Sequence, residues 1–74
     1  MVSIEIDNRG LSSPEPMLRI LSALKTLDDA DELVSFTDHE PVLLFPELER
    51  RGYTWEGMDA DGHYVVTIRR RQWD

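Results

Sequence analysis

The chain contains no cysteine. That excludes, within these residues, any disulfide brace, thiolate metal ligand or thiol nucleophile. No stretch approaches the ~20 apolar residues needed for a membrane-crossing helix. Histidine occurs only twice, so no His/Cys spacing pattern of a closed metal site is present. Positive charge is scarce: 8 basic side chains stand against 15 acidic ones, for a net charge of -7. That sign repels nucleic acid phosphate over most of the surface. The acidic residues are scattered, with one small cluster at Asp28, Asp29, Asp31 and Glu32. They suit a solubilising surface, the other reading being a docking surface for a basic partner.

These absences leave a single domain over residues 1–74, held by an aliphatic and aromatic core. Domains of this size bury only about 60% of their unfolded surface. The first residues, Met1 to Ile6, alternate like a strand and carry no basic flank of the kind that opens a signal peptide. The expectation is a complete cytoplasmic domain, a monomer or weak dimer, with no cofactor, no nucleic acid and no membrane contact.

Val2, Ile4 and Ile6 alternate with Ser3, Glu5 and Asp7, a period-two pattern that predicts a strand with one buried face. Asn8-Arg9-Gly10 breaks it. Ser13 at the cap position would put Pro14 at the first helical position, where a missing N–H costs nothing; Ser12 would instead form a capping box with Glu15. Ser13 is preferred, because two prolines in one first turn require the fixed φ they supply. Met17, Ile20, Leu21, Leu24 and Leu27 recur at helical spacing, so a helix should end near Leu27. Leu33 to Thr37 reads as a second strand, and Asp38-His39-Glu40-Pro41 as a second corner. Pro46 forbids a regular helix from Val42 onward, so a short helix is expected from about Pro46 to Arg51, with Gly52 beyond it. Tyr53 to Glu56 and Tyr64 to Arg69 alternate on either side of the turn Asp59-Ala60-Asp61-Gly62.

The order is β-α-β-α-β-β. Alternating strands leave one sheet face wet, so both helices must cover the other. The fold class is therefore α/β (α+β), a two-layer sandwich in which a mixed four-stranded sheet is covered by two helices on one face. A right-handed crossover makes the first two strands parallel. Both corners then follow parallel strands and share the carboxyl edge of the sheet, where open α/β sheets bind ligands.

With those residues in view, the pattern Asp7-x-Arg9-Gly10-Leu11-x-x-Pro14-x-Pro16 resembles the TusA/SirA-like superfamily of small sulfur carriers. Arg9-Gly10-Leu11, Pro14-Glu15-Pro16-Met17 and His39-Glu40-Pro41 look closer to one branch, domain-of-unknown-function family 2249. Thiol carriers of the superfamily hold a cysteine where Ser13 stands here. A serine hydroxyl is a far weaker acid and forms no stable persulfide, so this chain alone cannot relay sulfur. The resemblance also implies that branch members occur alone or beside hemerythrin-like, nitrogen-oxide or redox proteins. Another protein, of redox or metallocentre type, is thus the implied partner.

Five residues are candidates for a binding surface: Arg9, Ser13, Glu15, His39 and Glu40. Each has a plainer reading. Ser13 is a helix cap or one donor of an anion pocket completed by the first helical N–H groups. Glu15 is a helix-dipole partner or a ligand contact. Arg9 bridges a nearby carboxylate or carbonyl, or meets a partner. His39 and Glu40 lie on a solvent-facing loop with a turn-capping Asp38, or serve with Asp38 or Glu15 as weak metal ligands. His63, beside the hairpin, is expected to be exposed. Arg69, Arg70, Arg71 and Trp73 suit a solvated strand end better than an RNA-binding tail. The leading functional reading is a non-catalytic binding module. Its alternative is an accessory subunit of an enzyme complex using His39 and Glu40 for metal or proton-transfer chemistry.

Overall fold

The computed structural model describes residues 2–71. Trp73, the aromatic of the proposed strand end, lies outside the described residues. The elements run β1 (Ser3–Asp7), α1 (Glu15–Leu24), β2 (Glu32–Thr37), α2 (Leu44–Arg50), β3 (Tyr53–Asp59) and β4 (Tyr64–Arg70). They form one four-stranded sheet in the order β1-β2-β4-β3. β1 and β2 are parallel, while β2–β4 and β3–β4 are antiparallel. The sheet is mixed and carries two helices, as the element order required.

Register explains which face the helices cover. Leu33 lies opposite Ile68, and Ser35 opposite Val66, so these side chains share one face. Leu33, Val66 and Ile68 are buried in a single cluster with Ile20 and Leu24 of α1 and Leu44 and Leu48 of α2. The opposite face is only half covered. Val34, Phe36, Val65 and Thr67 are half-buried, and Met58 is exposed. β1 shows where alternation misleads. Its pattern gives the correct side, but β1 is an edge strand, so Ile6 is only half-buried and Ile4 and Val2 remain exposed.

Both helices differ from expectation at their ends. α1 stops at Leu24, and the chain continues in tight turns from Lys25 to Ser22, Thr26 to Ala23 and Leu27 to Leu24. Those i→i−3 bonds still deliver Leu27 into the core. At its start the cap is Pro14, not Ser13, and no side chain caps the helix. The Glu15 N–H bonds instead to the Ser12 carbonyl at 3.0 Å, and the Leu18 N–H to the Pro14 carbonyl at 3.1 Å. Backbone carbonyls therefore do what the serine hydroxyls were expected to do. α2 begins two residues before Pro46. A proline in the first turn removes an N–H that has no intrahelical acceptor, so Pro46 does not delay the helix. Gly52 follows at φ +87°, the left-handed conformation that ends such a helix.

β3 runs three residues further than its alternation suggests, pairing Gly57, Met58 and Asp59 with Val66, Val65 and Tyr64. At its start, the Trp55 ring stacks on Phe45 of α2, 5.4 Å apart and 5° from parallel. This contact anchors α2 to the sheet. Leu48, fully buried, does the same from the next turn. Leu48→Ala should cost about 2–5 kcal/mol, read as a lower urea midpoint at unchanged m-value.

Candidate functional site

Parallel pairing of β1 and β2 brings the two corners together, and backbone bonds define the first. The Asn8 N–H extends the ladder to the Phe36 carbonyl at 2.7 Å, and the Leu11 N–H returns to the Asn8 carbonyl at 3.4 Å. Gly10 occupies that turn at φ +84°, a conformation costly for a residue with a Cβ. Asn8 is buried beneath it and donates from Nδ2 to Ser35 Oγ at 3.3 Å. Its Oδ1 has no protein partner.

Three side-chain bonds hold the second corner. The Gly10 N–H donates to Asp38 Oδ2 at 2.8 Å, tying corner to corner. The Thr37 hydroxyl donates to the His39 carbonyl at 2.7 Å. The Tyr64 hydroxyl donates to Glu40 Oε2 at 3.1 Å. Gly57 makes the last bond possible. A Cβ there would collide with Tyr64 Oη and lie 2.8 Å from its Cε1, so the ring lies over a residue that has no side chain. Burial, then the bond to Glu40, raises the Tyr64 pKa above its usual value. The phenol is thus a fixed neutral donor at ordinary pH.

Between the corners lies a cavity of about 300 Å³, at the small end of the usual range for ligand pockets. Its walls are Leu11, Pro14, Pro16 and Met17 on one side and the segment from Thr37 to Leu44 on the other. Of the five sequence candidates, Ser13, His39 and Glu40 line it; Arg9 and Glu15 do not. Arg9 is engaged elsewhere. Its Nε and Nη2 each donate to Asp7 at 2.9 Å, and its guanidinium lies 5.9 Å from the Phe36 ring centre on the open face. His63 meets the same ring at 6.0 Å and is half-buried rather than exposed, because Phe36 offers it an apolar surface. Glu15 is exposed in the first helical turn.

The cavity is poor in anion donors. Pro14 and Pro16 have no N–H, and that of Glu15 is taken by Ser12. Only Met17 of the first helical turn is left to offer one. The polar lining consists of Ser13, Thr37, Asp38, His39 and Glu40, two of them carboxylates. Among the described residues, no group of three or more His, Asp or Glu side chains is gathered as a metal site. The basic strand end is paired as well. Arg69 contacts Glu32 at 2.7 Å, and Arg70 donates to the Leu27 carbonyl at 3.3 Å. No described helix is long and apolar enough to cross a membrane.

Sequence reasoning missed Asp38 as the tie between corners, and Tyr64 and Gly57 as its support. Gly57 in the middle of a strand was the available signal, since such a glycine often marks close approach.

Comparison with known proteins bears on the family and the fold. A family model described as "Uncharacterized conserved protein (DUF2249)" matches residues 5–70. The crystal structure of a SirA-like protein from Desulfitobacterium hafniense superposes with a TM-score of 0.76 at 30% identity, covering 92% of this chain and 95% of that one. No curated protein matches the chain.

Two measurements check the site's construction. The Asp7 carboxyl is held down to about 2 by the Arg9 side chain, aided by the Arg9 backbone N–H. A depressed folded pKa gives stability that is present above the unfolded value and lost as pH falls through the folded one. Stability of the wild type should therefore decline from about pH 4 toward pH 2, and Asp7→Asn should flatten that part of the denaturation profile. Tyr64→Phe and Gly57→Ala should each release Glu40, seen as amide shifts at His39 and Glu40 that coincide in the two variants.

Proposed function

The chain belongs to the DUF2249 family, and from that premise we propose that it is a non-catalytic protein-interaction module working through the sheet edge shared by its two corners. The cavity carries this reading. It is open, mostly apolar, and built by two corners tied together rather than by a constellation of reactive groups. Ser13 occupies the position where thiol carriers of similar fold hold their reactive cysteine, and its hydroxyl cannot carry sulfur. Among the described residues, no base is hydrogen-bonded to that hydroxyl. The partner class implied by the family's associations is a redox or metallocentre protein.

The accessory-enzyme reading relies on His39 and Glu40 acting together. Glu40 is committed to Tyr64, which supports a structural role for it.

Amide shifts of the ¹⁵N-labelled chain, recorded during separate additions of Zn²⁺, Fe²⁺, phosphate and sulfite, separate the two. The module reading expects no saturable shift localised at His39 or Ser13. Saturation at His39 with either metal would transfer the assignment to the accessory-enzyme reading.

A further inference from the structure

The run Val42-Leu43-Leu44-Phe45 is apolar throughout, yet folding uses only half of it. Leu44 is fully buried, and Phe45 stacks on Trp55. Val42 and Leu43 remain 62% and 75% exposed, on the wall of the cavity. Scattered exposed apolar residues are ordinary; a pair on the wall of a preformed apolar cavity is the pattern of a contact surface.

The charge at this edge selects among occupants. Asp38 and Glu40 line the cavity, with Glu15 on the same helix start. Among the described residues, His39 is the one basic side chain of the lining; Arg9, bonded to Asp7, also lies within electrostatic reach of Asp38 and offsets part of its charge. Small anions find little here beyond one helical N–H. Anionic lipid and nucleic acid meet a surface of their own sign. A second copy of the chain brings another net charge of -7, and like charges disfavour that pairing.

Resting on the interaction-module reading, we propose that the cavity receives an aliphatic or aromatic side chain from a partner segment that carries Arg or Lys beside it. The apolar group enters between Pro14 and Leu43. Its basic neighbours face Asp38, Glu40 and Glu15. Asp38 and Glu40 keep their structural bonds while presenting negative charge, because each donates no proton in those bonds and retains a second carboxylate oxygen.

The test is selection of random dodecapeptides on the immobilised full chain, followed by amide-shift mapping and affinity measurement with the enriched sequence. Enriched peptides should pair one large apolar residue with Arg or Lys within two positions and shift Leu11, His39 and Leu43. Leu43→Ser should weaken binding about tenfold. Glu40→Gln, which keeps an acceptor for Tyr64, should weaken it about threefold at low salt and much less at high salt. Glu5→Gln, on the open sheet face, should leave affinity unchanged.

Acidic or uncharged peptides mapping to the cavity would overturn the charge assignment while leaving the module reading intact. Peptides that map elsewhere, or no enrichment at all, would overturn both. Cavity shifts that grow with protein concentration in the absence of peptide would overturn the foreign partner in favour of a second copy.

Discussion

The 2.8 Å bond from the Gly10 N–H to the Asp38 carboxylate is the contact on which the candidate site depends. It joins two loops 28 residues apart in sequence, each leaving the end of a parallel strand. It adds a tie between the loops to the β1–β2 pairing that sets the two walls side by side. The bond uses a charged acceptor, and such hydrogen bonds are stronger than neutral ones. It also requires Gly10 in a left-handed conformation, so the backbone N–H points across the gap rather than along it. The Arg-Gly pair at this corner thus divides its labour. Arg9 folds back onto Asp7 and covers Phe36, while Gly10 reaches the other loop.

A second layer of support comes from the antiparallel half of the sheet. Tyr64 begins β4, passes over Gly57 of β3, and holds Glu40. A residue of the last hairpin therefore sets the position of a loop 24 residues earlier in the chain. The chemistry left at the edge follows from these commitments. Each of the two lining carboxylates accepts one structural bond, the serine hydroxyl caps nothing, and two prolines strip the helix start of N–H donors. The corner is thus an apolar cleft with acidic walls.

Much of this was legible in the residues themselves. Alternation in β1 and β4 reported their pleat, β-branched and aromatic content reported β2, and the apolar spacing from Met17 to Leu27 reported α1. The two periodicities are local and arise because a side chain must face either the core or water. Helix ends were less legible. Ser12 and Ser13 both offered caps, but a backbone carbonyl took the Glu15 N–H, and sequence cannot rank a hydroxyl against a carbonyl when both are within reach. Pro46 looked like a boundary because its ring forbids an interior helical position; the first turn is exempt. The burial of β1 was overstated because alternation cannot tell an edge strand from a central one.

Residue types and their spacing dictate the element order, the parallel crossover, the wet and dry faces, and the impossibility of thiol chemistry in a chain with no cysteine. Each of these follows from residue type and near-neighbour spacing. Folding in three dimensions sets which candidates meet: Ser13, His39 and Glu40 share one cavity while Arg9 and Glu15 stand outside it. It also decided that Asp38 binds Gly10 and that Tyr64 binds Glu40. Those facts depend on strand register and on the direction of single side chains across gaps of 24 and 28 residues, and no local periodicity encodes which distant partner a polar group will meet.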